Sequence, residues 1–341
     1  MACGFNLKSN NYDSSGKLGN PLIYGFNIPD SCDRYEFGPL AKKATGGDYD
    51  TEHILEFQLL TDFFNDVNNK WAKNHFEHPD SAEVIENTNP PERKKIDFCK
   101  YWRESWDLKT EERFAIPGET DLKTPFQHLV SVYPSSEKHS DELVLLQRKV
   151  NAPAKASMWN DNEIYKEIKM KPLIEGSHEA RRTGIQRLRA VMGVYYYMRD
   201  PTIALYFKRE VNRIQERLNL IEAQMATHPR IVRERGGGIR TYDAYQAQGL
   251  GDLWKLYMNE RFDLADKKGR GFVDTYLKKY ENKYLTAQQV GNAISDPNDT
   301  PAQKAEKEAM QGLQRVIRLA RQQYSNLGVW TAPWIDPTIG N

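Results

Sequence analysis

Two adjacent helix signals in the second half of the chain constrain its fold most strongly. Ser177 can cap a helix that runs through Met198, and Asp200 followed by Pro201 favours the start of the next helix. The second helix carries apolar residues at alternating steps of four and three, namely Phe207, Val211, Ile214, Leu218, Ile221 and Met225. Such a stripe needs a long partner helix, most simply the preceding helix in an antiparallel hairpin.

Helix signals continue toward the end of the chain. After a flexible break at residues 235–240, further helices are predicted over residues 242–266, 272–284 and 300–326. The last of these begins with the capping box Thr300…Gln303. The apolar tail at 329–334 is expected to pack onto the body of the protein. We therefore predict a mainly α fold.

The first half of the chain is less regular. Residues 1–48 predict an irregular arm with a short strand at 22–26. Apolar spacing predicts a helix over residues 50–74. The region 96–175 is the expected place for a small β element, and it contains two segments that fit either a strand or a short helix, residues 126–133 and 143–150.

Length and composition limit the class of protein. A chain of 341 residues suggests about two domains, which we place at 1–175 and 176–341, the second helical with an arginine-rich face. With 39% hydrophobic and 11% aromatic residues the chain can bury a core, which excludes collagen-like and wholly disordered classes.

Cysteine content and the start of the chain bear on location. Cys3, Cys32 and Cys99 are too few and too scattered for a disulfide framework or a four-cysteine zinc site. The odd number of cysteines indicates a reducing compartment, although a disulfide between Cys32 and Cys99 is an open alternative. The start shows no secretory signal, and the longest apolar run, at 190–198, is too short to cross a bilayer. We expect a cytoplasmic protein without membrane contact.

A histidine with two carboxylates is the first chemical feature. On the predicted helix, Glu52 and Glu56 are four residues apart and His53 and Glu56 are three apart, so all three would project from one flank. Neighbouring carboxylates favour a protonated histidine and raise its pKa. His53 would then act as a general acid or base near neutral pH.

Three interpretations of this cluster stay open. The acids can be first-turn residues favoured by the helix dipole. They can instead form a catalytic or substrate-amine-binding cluster with His53, or a metal site. A second histidine-bearing motif is missing, since the other histidines stand alone, namely His75, His78, His128, His139, His178 and His228. We therefore predict no metal ligands.

Charge is strongly segregated along the chain. Residues 178–240 contain twelve arginines and one lysine against six acids, a net charge of +7. Residues 30–66 contain nine acids against three basic residues, a net charge of −6. The planar guanidinium group of arginine can donate two parallel hydrogen bonds to phosphate oxygens. A nucleic-acid surface is therefore predicted from Arg181, Arg182, Arg189, Arg230, Arg233, Arg235 and Arg240. Alternatively, the two blocks pair with each other or with local acids.

Residues beside these features are candidates for binding a substrate. Asp50 and Gln58 flank the carboxylate cluster. Tyr195 and Tyr196 belong to a run of three tyrosines that either packs in the core or lines a pocket that stacks on a substrate.

The cluster also carries a family resemblance. Residues 50–60, Asp-Thr-Glu-His-Ile-Leu-Glu-Phe-Gln-Leu-Leu, with Asp-Phe-Phe at 62–64, resemble a motif in a group of fungal proteins. The helical regions 189–197 and 203–218 are similar to theirs. Some of the group are tails of killer-toxin-like chitinases, and stand-alone members resemble fungal arginine-containing cyclodipeptide synthases. The alternating strands and helices of bacterial cyclodipeptide synthases are absent here.

This resemblance implies an enzyme of secondary metabolism that takes arginine from arginyl-tRNA, joins it to an amino acid from a second aminoacyl-tRNA and cyclises the pair to a diketopiperazine. The basic segment would hold the acceptor stem, the acidic segment would bind the arginine side chain, and His53 or Glu56 would deprotonate the attacking amine. No ATP, metal or other cofactor is then required. Two alternatives stay open, a metal-dependent nuclease and a non-enzymatic helical interaction module.

Overall fold

Long helices and one small mixed sheet surround a single continuous hydrophobic core in the computed structural model of the chain. The structure describes residues 2–4, 7, 18–71, 75–106, 113–227, 230–233 and 237–339. For residues 230–233 it describes the backbone alone. The buried core includes residues from both sides of position 175. The predicted mainly α fold is confirmed.

The helices are α1 (Phe57–Lys70), α2 (Phe98–Trp106), α3 (Pro125–Val130), α4 (Ala156–Trp159), α5 (Glu167–Glu175), α6 (His178–Met198), α7 (Pro201–Met225), α8 (Leu250–Tyr284), α9 (Ala287–Asn292) and α10 (Pro301–Ser325). The strands are β1 (Ile23–Phe26), β2 (Phe37–Leu40), β3 (Tyr49–Glu52), β4 (Phe76–Glu77), β5 (Val84–Ile85), β6 (Glu92–Arg93), β7 (Lys95–Ile96), β8 (Val144–Gln147), β9 (Arg230–Arg233) and β10 (Ile239–Tyr242). A 3₁₀ turn occupies Ser140–Glu142 and a π-helical turn occupies Val150–Lys155.

The main sheet has the strand order β2-β1-β8-β3. β1 runs parallel to β8, and the other two pairs are antiparallel. The predicted strand at 22–26 is confirmed, and the open choice at 143–150 resolves to β8. The segment 126–133 is helical in α3 instead, because Thr124 and Gln127 form a capping box and Pro125 fits the first helical position.

The helix predicted over residues 50–74 is wrong at its start. Residues 49–52 form β3, in which Glu52 lies opposite Val144 of β8. The backbone groups of this segment are satisfied by the neighbouring strand, so α1 begins only at Phe57. α1 ends at Lys70, and residues 72–74 lie outside the described part of the chain.

The helix signals at Ser177 and Asp200 are confirmed, since both side chains accept hydrogen bonds from the first turns of α6 and α7. The apolar stripe of α7 is buried. Its main partner is α8 rather than α6, with Trp254 Nε1 donating to the carbonyl of Val211 at 3.1 Å. The predicted hairpin is wrong because α8, 35 residues long, runs along α7 and then reaches α6, where the Tyr280 hydroxyl donates to the carbonyl of Arg181.

The two helices predicted at 242–266 and 272–284 are one helix, α8. Within this helix, Gly269 allows close packing. A Cβ atom on Gly269 would lie 2.5 Å from the Tyr195 hydroxyl oxygen. Of the break predicted at 235–240, residues 239–240 belong to β10, which pairs with β9, and residues 235–236 lie outside the described part of the chain.

Local signals near the end of the chain agree with the structure. Thr300 and Gln303 form the capping box of α10. Trp330 and Trp334 of the tail are buried against Phe262 of α8. Among the described helices, none combines the length and apolar character that a membrane span requires.

The cysteine pairing differs from the one left open by the sequence. Cys3 and Cys99 form a disulfide with their Cα atoms 5.0 Å apart. Cys32 is a buried thiol, and burial raises its pKa. A Cys32–Cys99 bridge is therefore wrong.

Candidate active site

A buried lysine gathers the two carboxylates of the sequence motif. β3 places Glu52 at its end, and Glu56 is the cap residue before α1. After β8, the π-helical turn returns the chain so that Lys155 meets both. Lys155 Nζ forms an ion pair with Glu52, lies 2.7 Å from Glu56 Oε1 and donates to the carbonyl of His53 at 3.1 Å. The site therefore depends on three segments rather than on one helix face.

Burial sets the charge states of this ionic cluster, defined as Glu52, Glu56 and Lys155. The side chain of Lys155 is 0% exposed, that of Glu52 5% and that of Glu56 23%. Burial acts to lower the pKa of Lys155, but Glu52 and Glu56 outweigh it and raise the pKa to about 12. Burial raises the pKa of Glu52 to about 8, against the charge of Lys155. Lys155 is an ammonium at neutral pH, and Glu56 is the member that reaches the surface.

His53 lies beside the cluster in a state opposite to the predicted one. Burial lowers its pKa to about 4. Its Nε2 donates to the carbonyl of Pro134 at 3.0 Å, and its ring lies 4.8 Å from that of Tyr133. The predicted rise in pKa is wrong because Lys155 offsets the carboxylates and the ring is desolvated. His53 is neutral at pH 7 and can accept a proton, but it is not a general acid there.

We expect His53 to limit stability in acid. A histidine with a lowered folded pKa stabilises the fold above its unfolded pKa of 6.5, and that contribution is lost as the pH falls toward 4. His53→Gln keeps a donor for Pro134 without titrating. Its free energy of unfolding relative to wild type should therefore increase by up to about 3 kcal/mol between pH 6.5 and 4. Urea unfolding at several pH values measures this, and a constant difference would contradict it.

Two further buried polar residues were not identified from the sequence. Glu210 of α7 accepts a hydrogen bond from the backbone N–H of Leu55 at 2.9 Å, and burial raises its pKa well above the usual value. Tyr197 is fully buried, and its pKa is raised by burial and by Glu52 and Glu210. The sequence does contain a signal for Glu210, because this acidic residue lies between Phe207 and Val211 of the apolar stripe of α7.

The predicted substrate-binding residues lie in ordinary structural contacts. Asp50 forms an ion pair with Arg148 at 3.0 Å, and Gln58 donates to Asp62 at 2.9 Å. Tyr195 is buried and donates to the carbonyl of Asp266, so the core interpretation is confirmed for it. Tyr196 is half-buried and its hydroxyl lies 3.2 Å from Gln323 Oε1.

Five of the nine acids at 30–66 contact one basic segment, residues 148–155. Besides the Lys155 contacts, Asp30 pairs with Lys149 and Asp50 with Arg148. The segment 148–155 therefore meets acids that the sequence assigned to the arginine side chain of a substrate. Of the cluster carboxylates, Glu56 is the more exposed.

Arg189 has a structural role. Its side chain is 2% exposed and lies 3.5 Å from the centre of the Phe26 ring. Its guanidinium donates to four backbone carbonyls, those of Ile28, Pro29, Ser31 and Arg34. The predicted contact of Arg189 with nucleic acid is wrong, because its donors hold residues 28–34 against α6.

Arg189→Lys should therefore destabilise the protein. A lysine retains the charge but cannot reach four carbonyls with a planar fork, so buried acceptors lose their donors. We expect the free energy of unfolding to fall by about 2–4 kcal/mol. RNA affinity of the folded variant should match wild type in a binding titration. Lower RNA affinity with unchanged stability would contradict this role.

The other predicted arginines that the structure describes lie at two separate places. Arg181 and Arg182 begin α6 near the end of α8, where Arg181 lies over the Tyr284 ring. The β-hairpin formed by β9 and β10 follows α7 and ends at Tyr242, shortly before α8 begins at Leu250. The end of α7 lies beside the start of α8, where the Glu222 carboxylate accepts from the backbone N–H of Leu250 at 2.7 Å. Some 30 residues of α8 separate these two ends, roughly 45 Å at 1.5 Å per residue.

The hairpin arginines differ in what the structure describes of them. Arg240 pairs with Asp80 at 2.7 Å. Arg230 and Arg233 are placed in β9 by their backbone, and Arg235 lies outside the described residues. The hairpin therefore provides one arginine side chain with a defined position, and that side chain already has an acidic partner.

Comparison of the chain with protein-family models, with curated proteins and with solved structures returns no match. In the described part of the chain, no three His, Cys, Asp or Glu side chains are grouped as a metal ion would require.

Proposed function

We propose that the chain is an arginine-containing cyclodipeptide synthase of fungal secondary metabolism, which uses arginyl-tRNA and a second aminoacyl-tRNA. One observation carries the proposal. The residues of the motif that resembles this family, Glu52, His53 and Glu56, are the ones that meet around the buried Lys155. A buried ionic cluster with one carboxylate at the surface is typical of an active site in which burial tunes proton transfer.

The chemistry needs a proton acceptor rather than an activating cofactor. The ester that links an amino acid to tRNA is already an activated acyl group. The α-amine of one aminoacyl group attacks the ester carbonyl of the other, the peptide bond forms and one tRNA leaves with its 3′ hydroxyl. The free α-amine of the dipeptide then attacks the remaining ester, which closes the ring and releases the second tRNA. Each step transfers one proton from the amine.

The geometry suggests a role for each group. Glu56 is partly exposed and contacts the ammonium group of Lys155, so it is the base that an α-ammonium can reach. His53 is neutral and provides a second acceptor nearby. Lys155 and Glu52 are positioning residues, because they are buried and fix the Glu56 carboxylate.

The two alternatives have less support. A metal-dependent nuclease would use His53 and the motif carboxylates around a divalent ion, whereas those carboxylates contact an ammonium group. An interaction module would use the apolar stripe of α7 for pairing with a partner, whereas that stripe is buried within this chain.

Aminoacyl-tRNA as substrate places the enzyme in the cytoplasm. The cytosol keeps most thiols reduced, so the Cys3–Cys99 disulfide of the structure counts against this location.

Product analysis tests the proposal. The chain is expressed in a host with ordinary tRNA pools, and extracts are analysed by mass spectrometry. We expect a compound whose mass equals the two residue masses without a terminal water, and which carries label from isotopic arginine. Extracts that match an empty-vector control, with soluble folded protein present, would overturn the proposal.

A further inference from the structure

An open groove runs along the exposed flank of α7. We define the α7 groove as the cavity of about 300 Å³ lined by Lys208, Arg209, Asn212, Arg213 and Glu216. A second cavity, of about 510 Å³, includes Ala204 and Leu205 of the same helix, with the tail residue Ile339 at its wall. Lys208 connects the two, because its Nζ donates to the carbonyl of Ile339 at 2.8 Å.

Three cations at this groove lack acidic partners. Within the described residues, Lys208, Arg209 and Lys255 form no ion pair; Arg209 is exposed, and Lys208 and Lys255 are half-buried. Lys255 Nζ donates to Asn212 Oδ1 at 2.7 Å, which places a second ammonium beside the groove. The pKa of Lys255 is lowered by burial and by the charge of Lys208. Mutual repulsion of this kind is relieved when an anion binds.

The other charged residues near the groove do not neutralise the positive charge of these three cations. Arg213 is matched by Glu142, whose carboxylate accepts from its guanidinium at 2.8 Å. Glu216 is the exposed acid of the groove. Asp336 of the tail lies near Lys208, but its carboxylate accepts from Thr338. Three unpaired cations therefore face two acids.

Helix α7 lines the groove on one side and contacts the segment that carries Glu56 on the other. Arg209 and Arg213 face the groove, whereas Glu210 is buried and contacts Leu55, the residue before Glu56. Consecutive helical residues point about 100° apart on a helix about 10 Å wide. A polymeric ligand bound in the groove therefore passes within about one helix diameter of the ionic cluster.

We propose that the α7 groove binds the phosphodiester backbone of single-stranded RNA. If the proposed function holds, that RNA is the acceptor end of aminoacyl-tRNA, and this identity rests on it. Arginine and lysine without carboxylate partners suit phosphate oxygens. This site differs from the arginines predicted from the sequence, which lie at Arg181 and Arg182 or in the β-hairpin.

The test compares two double variants of equal charge. Arg209→Ala/Lys255→Met removes two groove cations, and Lys169→Met/Lys171→Met removes two exposed cations of α5. The probe is a fluorescein-labelled 12-nucleotide single-stranded RNA that ends in CCA, measured by anisotropy across a salt series. We expect the groove variant to lose at least tenfold in affinity, and its log–log salt slope to fall by about 1.4. The control should stay within twofold of wild type.

Several results would overturn the proposal. These are absence of RNA binding by wild type, a loss below threefold in the groove variant, an equal loss in both variants, or stronger competition by ATP than by unlabelled RNA. Thermal unfolding checks that both variants are folded. The binding assay is independent of synthesis. Wild type that binds RNA through the groove but makes no diketopiperazine removes the proposed function alone, and product formation with undiminished RNA affinity in the groove variant removes this inference alone.

Discussion

Glu52→Gln is expected to gain stability relative to wild type as the pH rises. Burial raises the folded pKa of Glu52 from 4.5 to about 8. A group with a raised folded pKa stabilises the fold below its unfolded pKa, and that contribution is lost as the pH rises through the folded pKa. The variant has no carboxyl to ionise. Its free energy of unfolding relative to wild type should therefore increase by up to about 5 kcal/mol from pH 4.5 to 8.

Urea unfolding across this pH range measures the difference, and taking the difference removes titrations common to both proteins, His53 included. Lys155→Met is the complementary variant. Without the ammonium, the pKa of Glu52 rises further, so the loss of stability should continue above pH 8. A Glu52→Gln difference that is constant with pH would show that Glu52 is ionised in the fold throughout, and it would contradict our account of the cluster.

Glu56→Gln should fold normally and lose synthesis. Its carboxylate is the partly exposed member of the cluster, so replacing it by a neutral amide removes the proposed base while keeping the size of the side chain. General-base catalysis typically contributes 10²–10⁴-fold, and we expect a loss of about that size in product formation. RNA affinity should be unchanged, because the α7 groove is separate.

Glu179→Gln is the matched control for Glu56→Gln. Glu179 is an exposed acid in the first turn of α6, away from the cluster. This control should make product at the wild-type rate. Retention of more than half of the activity by Glu56→Gln would show that another group accepts the proton, and His53 would then be the next residue to replace.

Local features of the fold were predictable from the sequence, because their partners lie within four residues. Ser177, Asp200 and Thr300 cap the helices that follow them, and each interaction is complete within one turn. The start of the helix at residue 50 was not predictable in this way. Its apolar spacing fits a helix, but β8 offers a strand edge from nearly 100 residues away.

In the candidate site, too, only the residues that are close in sequence were predictable. Glu52, His53 and Glu56 were identified because they are neighbours in sequence. Lys155 was not identified, since it lies 99 residues after Glu56 and only the fold brings the two together. A signal existed in the sequence, a lysine between Ala154 and Ala156 just before an apolar pair. The charge counts along the chain led to a wrong prediction for Arg189, because they could not show that its guanidinium binds backbone carbonyls.

The most direct test of the proposed synthase is the fate of labelled arginine. Purified protein is incubated with [¹⁴C]arginyl-tRNA, a second aminoacyl-tRNA and no ATP, and RNase-treated tRNA serves as the control. The account predicts that label moves from acid-precipitable tRNA into a cyclic dipeptide, and that RNase treatment abolishes this. Release of label only as free arginine, at the rate seen without protein, would contradict it.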